Sequence, residues 1–496
     1  MHSEEESNPL AVWCASFFMD NNNNQMKNQT TNSRVLGTMR RTLYCAVGAF
    51  LFAACAPSDG FEPLFNGKDF AGFKQLNGKA PYTVEDGMMV GTSVSGQPNS
   101  FMATEKTYGD FILEFDVQCD PLLNSGVQFR SESYEAYNSG RVHGYQCEID
   151  PSDRAWSGGI FDEARRGWLA PLTDNPEGRA AYKREGWNHY RIEALGTNMR
   201  VWLNGVNTAN LIDDLTPAGF IAFQVHGIGG SKEKAGKVIK WKNIRILTEN
   251  VAANLQQGKL VPAINKIPNT LCEDEKAAGW KLLFDGKTTN GWRGAHRDAF
   301  PTAGWKVKDG ELIIEASGGG ESTNAGDIVT EDQYSAFELS LEFMLTPGAN
   351  SGIKYFVTEA EKGGKRSAFG LEYQLLDDAK HPDAKKFTTY EGSRTLASLY
   401  DVIPAAKKRF NGVNKWNNAV LKVFPNNHVE HWLNGFKVTE YDRCSDALRA
   451  RIKNSKYANK VFNDPAPFGE AKQGHILLQD HGDEVHYRNI KIRTLK

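Results

Sequence analysis

The stretch Ile476-Leu477-Leu478-Gln479-Asp480-His481-Gly482 decides the fold, because the chain contains it twice. The earlier copy reads Phe220-Ile221-Ala222-Phe223-Gln224-Val225-His226-Gly227. Shorter pairs keep the same order along the chain: 64–68 with 283–287, 124–126 with 350–352, 202–205 with 432–435, and 242–246 with 488–492. Because internal repetition defines the unit of folding, the sequence predicts two copies of one domain.

Each copy has the pattern of half-buried β-strands. Apolar residues occupy every second position in 111–117 and in 337–343, and Asn-Gly pairs at 204–205 and 434–435 mark hairpin turns. Few segments have the period of a helix. The sequence therefore predicts an all-β protein with two tandem sandwiches of the jelly-roll type.

Pattern and composition divide the chain into four parts. Residues 1–55 are a leader, 61–248 the first jelly roll, 249–269 a linker with weak pattern, and 270–496 the second jelly roll. The Asn/Gln-rich start of the leader has too little apolar surface to build a core. A capping-box pattern that begins at Thr270 predicts a short helix through Ala278.

The leader also carries an export signal. Met39 is a plausible start codon, and it precedes two arginines and an apolar run at 43–54 that is too short to span a bilayer. Small residues before Cys55 resemble a bacterial lipobox, and an ordinary signal peptide cleaved nearby is the alternative. We expect an exported lipoprotein of the outer membrane or periplasm, lipidated at Cys55, which contacts the membrane only through that anchor.

Composition excludes some partners. The net charge is -2 and the sequence pI about 6.6, so the chain lacks the basic field that nucleic-acid binding needs. The chain has no serine-hydrolase elbow, phosphate-binding loop or zinc-protease helix. A Cys119–Cys147 disulfide is compatible with an oxidising compartment.

Strand parity collects polar side chains on one face in each half. In the second half this face holds Lys354, Glu372, Gln374, Gln479 and His481. The first half repeats the arrangement with Gln128, Arg130, Gln146, Glu148, Asp150, Gln224 and His226. A solvated sheet face is also polar, but long amide, carboxylate and imidazole groups beside loop aromatics such as Trp168 and Tyr400 favour a sugar-binding face.

The short motifs together, including LFDGK at 283–287, NSG at 350–352, WLNG at 432–435 and LQDHG at 478–482, resemble the 3-keto-disaccharide hydrolase family. Both halves match, over about 61–247 and 279–495. The resemblance implies concanavalin A-like jelly rolls and cleavage of an oligosaccharide or glycoside whose sugar is oxidised to a ketone at C3. A sugar 3-dehydrogenase is then a candidate partner, since it would make that ketone.

A 3-keto group acidifies the proton on C2, so a base can remove it, the C1 group leaves and water adds to the product. The site then needs a base, an oxyanion stabiliser and an acid. The resemblance and strand parity together assign His481 as base or acid, Glu372 as its partner and Lys354 as enolate stabiliser. A divalent metal ion is an alternative to Lys354, although no ligand spacing is specific. Sugar-binding candidates in this half are Gln374, Gln479, Asp480 and Tyr400.

The first half departs from this pattern. Gln128 stands in place of Lys354, and the order of the acid and the amide is reversed in Gln146 and Glu148. We expect a second carbohydrate site, with His226 and Glu148 as catalytic candidates. Its binding candidates are Gln146, Gln224, Arg130, Arg165 and Trp168. A non-catalytic glycan-binding lipoprotein and an ordinary glycoside hydrolase, which needs a carboxylate pair such as Glu372 with Asp377, remain alternatives.

Overall fold

The computed structural model describes residues 59–318, 320, 325–362, 365–463 and 467–496. The leader predicted for 1–55, with its lipidation site at Cys55, lies outside these residues. Among the described residues, no helix has the length and apolar character needed to cross a bilayer.

The first half is built from strands β1 to β16, which form a 9-stranded and a 7-stranded sheet. Their bounds are β1 Glu62–Pro63, β2 Phe73–Asn77, β3 Tyr82–Glu85, β4 Met88–Thr92, β5 Ser100–Tyr108, β6 Phe111–Cys119, β7 Ser125–Glu132, β8 His143–Ile149, β9 Ile160–Glu163, β10 Gly167–Ala170, β11 Asn188–Leu195, β12 Asn198–Leu203, β13 Val206–Ile212, β14 Gly219–Val225, β15 Val238–Leu247 and β16 Ile264–Asn265. The larger sheet has the order β16-β13-β12-β11-β6-β15-β4-β3 with β1 beside β15, and the smaller one the order β10-β9-β8-β7-β14-β5-β2.

The second half repeats this plan with an 8-stranded and a 5-stranded sheet. Its strands are β17 Lys281–Leu282, β18 Trp292–Gly294, β19 Trp305–Lys308, β20 Glu311–Ile314, β21 Ile328–Thr330, β22 Phe337–Leu345, β23 Asn350–Lys362, β24 Lys365–Leu376, β25 Asn417–Val423, β26 His428–Leu433, β27 Phe436–Asp442, β28 His475–Leu478 and β29 Val485–Thr494. The larger sheet has the order β19-β20-β29-β22-β25-β26-β27 with β17 on β29, and the smaller one the order β18-β21-β28-β23-β24.

Alternation along the strands explains the two cores. In β22 the side chains of Phe337, Leu339, Leu341 and Phe343 all point inward and are buried. The apolar residues of β6 do the same in the first half. Each sheet therefore buries one face against its partner sheet, and the prediction of an all-β protein with two tandem sandwiches is confirmed.

The described residues include three short α-helices: α1 Pro176–Ala180, α2 Glu273–Ala277 and α3 Asp446–Lys453. Short 3-10 segments cover Asn138–Gly140, Val251–Asn254, Pro382–Lys385, Lys456–Ala458 and Lys460–Asn463. Helix α2 begins after Cys272, not after Thr270 as predicted, because the Glu275 carboxylate accepts the Cys272 N–H at 2.9 Å and closes the capping box there.

The segment predicted as a linker is held by contacts along its length. The backbone N–H of Val261 donates to Asn207 Oδ1 at 2.9 Å, and β16 pairs in parallel with β13. At its end, Asn269 donates to the Gly310 carbonyl and accepts the Asn489 N–H.

The Cys119–Cys147 disulfide that the sequence allows does not form, since both residues are buried free thiols. Cys119 ends β6 in one sheet and Cys147 lies in β8 in the other. Facing sheets are about 10 Å apart, which is more than a disulfide spans.

Candidate functional site

The 5-stranded sheet of the second half brings four of the predicted polar side chains onto one face. In the β23–β24 register, Lys354 faces Glu372 and Gly352 faces Gln374. The Gln479 N–H donates to the Gly352 carbonyl at 3.1 Å, which sets Gln479 on the other side of β23. These residues form what we call the polar face of the second half: Lys354, Glu372, Gln374 and Gln479.

The polar face is not a solvated surface. Lys354 is 8% exposed, Glu372 5%, Gln374 1% and Gln479 4%. The Lys354 ammonium lies 3.6 Å from the carboxylate of Asp327, on the neighbouring segment before β21. Burying charged and amide groups costs free energy unless partners are provided, so this burial argues for a built site.

Gly352 makes room for the carboxylate of this face. A Cβ added at Gly352 would lie 2.5 Å from Glu372 Oε1, closer than real Cβ contacts come. The first half has the same device, since a Cβ at Gly126 would lie 2.5 Å from the Gln146 side chain. The repeated NSG motif is therefore explained by close side-chain packing over its glycine.

Gln374 offers a hydrogen-bond acceptor. Its Nε2 donates to Asn350 Oδ1 at 2.8 Å. Its Oε1 is buried and has no hydrogen-bond partner among the described residues. A buried amide oxygen is costly without a donor, and a sugar hydroxyl is a suitable donor.

Two histidines lie together at the end of the polar face. The rings of His381 and His481 are 6.1 Å apart between centroids at an interplanar angle of 88°. Asp483 completes the cluster, and its Oδ2 accepts the Asn350 N–H at 3.0 Å. Through Asn350, which also accepts from Gln374, the cluster joins the polar face.

Sequence reasoning missed His381 and Asp483, because both lie in loops where strand parity says nothing. Comparison of the two copies could have found them. The position that corresponds to His381 in the first copy is Ala155, counted from the matching strand residues Glu148 and Gln374. The position that corresponds to Asp483 is Ile228, counted from Gln224 and Gln479. The cluster is thus a feature of the second copy alone.

The structure gives His481 a different neighbour from the one predicted. Glu372 is level with Lys354 and hence with Leu477, four residues before His481. The described neighbours of His481 are His381 and Asp483, and the pairing of His481 with Glu372 stays a prediction.

The state of His381 follows from its own contacts. The Asp383 N–H donates to His381 Nδ1 at 3.1 Å, so Nδ1 is an acceptor and the ring proton of the neutral form lies on Nε2. Burial is the main cause that lowers the pKa of His381 below 6.5, which favours the neutral ring.

One ligand atom each from His381, His481 and Asp483 lies within 4.8 Å of the others, a spacing that a divalent ion could use. Metal binding through Nε2 of His381 would need the proton on Nδ1, where the Asp383 N–H already points. The hydrogen bonding therefore fits a proton donor better than a metal ligand.

The polar groups of two predicted sugar-binding residues make hydrogen bonds within the fold. The fully buried Asp480 carboxylate accepts the N–H groups of Ala325 and Gly326 at 3.0 and 2.9 Å and so holds that loop. The Tyr400 hydroxyl donates to Asp383 at 2.6 Å, and its backbone N–H donates to the Glu372 carbonyl. Strand parity and loop position could not show these partners, and the binding roles of both residues stay predictions.

The first half gathers its polar side chains into a connected network. Gln146 Oε1 accepts from Gln128 Nε2 at 2.7 Å and from Gln224 Nε2 at 3.0 Å. Gln146 Nε2 donates to Glu148 Oε2 at 3.0 Å. The Oε1 atom of Gln224 is buried without a partner among the described residues, as in Gln374.

Glu148 connects this network to aromatic rings. Burial is the main cause that raises its pKa above the usual value, and Asn124 and Arg154 donate to it at 2.8 and 2.9 Å. The Arg154 guanidinium lies 5.0 Å from the rings of both Trp156 and Trp168. The predicted residues Gln146, Glu148, Gln224 and Trp168 thus lie together around one network, and their role in binding stays a prediction.

Two predicted arginines contact partners outside that network. Arg130 has a φ of 44° at a β-bulge, which breaks the parity of β7 and sends its guanidinium to the Gly109 and Gly196 carbonyls and to Asp110. Arg165 is held by Asp162 at 2.6 Å and by Thr216. The bulge explains why parity fails at Arg130. The role of Arg165 in binding stays a prediction, and its Nη2 is buried without a hydrogen-bond partner among the described residues.

His226 also lacks the surroundings of its counterpart. It is exposed, and its Nδ1 lies 2.8 Å from the carbonyl oxygen of Gly227. Elsewhere, a cavity of about 760 Å³ between 257–264 and β13 is lined by none of the predicted site residues.

Comparisons with known proteins agree with the duplication. The model of the 3-keto-alpha-glucoside-1,2-lyase-like domain matches residues 60–247 and 279–493. A 3-keto-disaccharide hydrolase from Bacteroides thetaiotaomicron is 36% identical over 236 residues, which cover 44% of this chain and 79% of that protein.

Among solved structures, a glycosyl hydrolase candidate from Parabacteroides distasonis is 31% identical with a TM-score of 0.40 and covers 46% of this chain and all of that one. The carbohydrate binding module CBM66 from Bacillus subtilis is 17% identical with a TM-score of 0.26, over 35% of this chain and 93% of that one.

The matched segments together span most of the chain, and the curated relative acts on carbohydrate. These matches support a carbohydrate-cleaving enzyme of the glycoside hydrolase kind. The chain belongs to the family of the 3-keto-alpha-glucoside-1,2-lyase-like domain, which it contains twice.

Proposed function

We propose that the second half cleaves glycosides that carry a ketone at C3, by elimination followed by hydration. The observation that carries the proposal is the pair of adjacent imidazoles, His381 and His481, at the end of a buried polar face. Proton removal next to a carbonyl needs a base and an oxyanion stabiliser side by side. An ordinary glycosidase would instead need two carboxyl groups at a defined separation.

The steps balance as follows. The base, His481, takes the C2 proton, and the electrons of the C2–H bond form an enolate with the C3 carbonyl. The enolate electrons then form a C1=C2 double bond and expel the C1 oxygen, which leaves with a proton. Water adds its hydroxyl to C1 and a proton to C2. The net reaction is hydrolysis, with the ketone unchanged and no redox step.

The remaining residues of the polar face would hold the substrate. The Lys354 ammonium next to Asp327, the Glu372 carboxylate and the Gln374 amide oxygen offer donors and acceptors to hydroxyl groups. Their burial means that each hydrogen bond forms away from bulk water, where it discriminates between sugars most strongly.

The test uses a chromogenic 3-keto-glucoside and its unoxidised parent. The protein should release the chromophore from the keto-sugar alone, and His481→Ala should lower kcat/KM at least a hundredfold, as loss of a catalytic base does. His226→Ala is the matched control, because that imidazole stands at the same repeat position without a histidine partner. Release from the parent sugar would point to ordinary glycoside hydrolysis.

We further propose that the first half binds carbohydrate. The side chains of Gln128, Gln146 and Gln224 form a neutral amide array. The Arg154 guanidinium contacts both the Glu148 carboxylate and the Trp168 ring. Such an array suits hydroxyl recognition with an aromatic ring for stacking. Binding of the unoxidised sugar that persists in His481→Ala and fails in Gln224→Leu would support this division of labour.

The proposal includes export as a lipoprotein through Cys55, in line with the lipobox-like sequence. Metabolic labelling with a fatty acid should mark the full chain and not Cys55→Ala. An unlabelled but secreted protein would indicate an ordinary signal peptide.

A further inference from the structure

We propose that His381 is the neutral hydrogen-bond donor that stabilises the enolate oxygen, through the proton on its Nε2. This inference rests on the proposed elimination and names the group that the reaction needs opposite its base. It replaces Lys354, the stabiliser expected from strand parity.

The first argument is the tautomer. The Asp383 N–H points at His381 Nδ1 from 3.1 Å. A backbone amide always donates, so a neutral His381 ring must carry its proton on Nε2. The protein therefore fixes one tautomer without any carboxylate behind the ring. A carboxylate there would have selected Nδ1–H and left Nε2 as a base or a metal ligand.

The second argument is the charge state. Burial, the largest influence, lowers the pKa of His381, and His481 and Lys386 act in the same direction. Asp483 and Asp383 oppose them. The ring is thus neutral at pH 7. A neutral imidazole next to a forming enolate donates a hydrogen bond whose strength increases as negative charge develops on the oxygen.

The third argument is the spacing. The ring centroids of His381 and His481 are 6.1 Å apart, and one ring nitrogen from each lies within 4.8 Å of the other. A ketone oxygen and the adjacent C2–H are separated by two bonds, so the C3 carbonyl and C2 can lie between a donor and a base at this distance. Lys354 is level with Leu477, four residues before His481.

The two imidazoles then have distinct roles. His381 Nε2–H meets the C3 oxygen, and His481 removes the C2 proton. Asp483 lies beside both and is itself held by the Asn350 N–H at 3.0 Å, which places a negative charge where the imidazolium of His481 forms.

Two isosteric substitutions separate the donor from the loop contact. In His381→Asn the side-chain oxygen can still accept the Asp383 N–H, but no donor reaches the Nε2 position. In His381→Gln the amide nitrogen can reach that position, while the acceptor for Asp383 is lost. We expect His381→Asn to lower kcat/KM for the 3-keto-glucoside by about a hundredfold or more, as removal of an oxyanion donor does. His381→Gln should retain more activity than His381→Asn.

A spectroscopic measurement tests the tautomer without activity. In protein labelled with ¹⁵N-histidine, His381 should show a protonated Nε2 and an unprotonated Nδ1 at pH 7, and its pKa should lie below 6.5. Addition of Zn²⁺ or of a chelator should leave both signals unchanged. A protonated Nδ1, or a Zn²⁺-dependent shift of Nε2, would overturn the inference in favour of a metal ligand.

The outcomes distinguish this inference from the proposed function. If the unmodified protein cleaves the keto-sugar and His381→Asn is as active, the donor assignment is wrong and the elimination stands. If the unmodified protein cleaves neither sugar, the proposed function itself is wrong, whatever the tautomer.

Discussion

The stability of the fold should decrease as the pH decreases, because one histidine is buried beneath the polar face. His431 is fully buried, its Nδ1 donates to the Ala397 carbonyl at 3.0 Å and its Nε2 accepts from Tyr355 at 2.9 Å. Its ring lies 4.8 Å from Tyr373, on the inner side of the strand that carries Glu372 and Gln374. Protonation would put an unsolvated charge behind the site.

The sign and size follow from linkage. Burial lowers the pKa of His431 from 6.5 to about 4. Below pH 6.5 the unfolded chain binds a proton that the folded chain refuses, so stability is lost as pH falls through the window from 6.5 to 4. The two pKa values correspond to a total loss of about 3 kcal/mol, of which about 2 kcal/mol is lost between pH 7 and pH 5.

Urea unfolding at pH 7 and at pH 5 measures this loss of stability. If the protein unfolds in more than one transition, the relevant one is the transition whose midpoint changes when His431 is substituted. The unmodified protein should lose about 2 kcal/mol more than His431→Gln, which cannot titrate in this range. Equal losses in the two proteins would show that His431 does not remain neutral in the fold. An activity that declines in parallel with the unfolding transition would place the effect on the sheet under the site.

Three further outcomes are expected. Gly352→Ala should lower kcat/KM for the 3-keto-glucoside at least tenfold, because its Cβ would displace the Glu372 carboxylate. Gly126→Ala should not lower kcat/KM in this way, and equal effects of the two substitutions would contradict the assignment of chemistry to the second half. Arg130→Met should lower the free energy of unfolding by about 3 kcal/mol through two carbonyls and a carboxylate left without a donor, yet leave sugar binding of the folded protein intact in calorimetry. Trp168→Ala should weaken sugar binding in calorimetry by about tenfold, the loss of roughly 1.4 kcal/mol of stacking, and an unchanged affinity would remove that ring from the first site.

Much of the site followed from strand alternation. Parity correctly placed Lys354, Glu372 and Gln374 on one face, because those residues lie in regular strands whose side chains must alternate. Gln479 follows the last residue of β28 and joins this face through the hydrogen bond from its N–H to the Gly352 carbonyl. The same reasoning found Gln146, Glu148 and Gln224. It failed at Arg130, where a bulge with positive φ reverses the side chain.

The sequence by itself determined the duplication, the all-β class and the polar composition of the two faces, since repetition, period and residue type are local properties of the chain. Tertiary structure alone decided which loop residues meet those faces. His381 reaches His481 from 100 residues away through a turn fixed by the Asp383 amide, and Asp483 joins them through Asn350. Such contacts depend on how loops close over a sheet, and loop closure obeys no period that could be read from the chain.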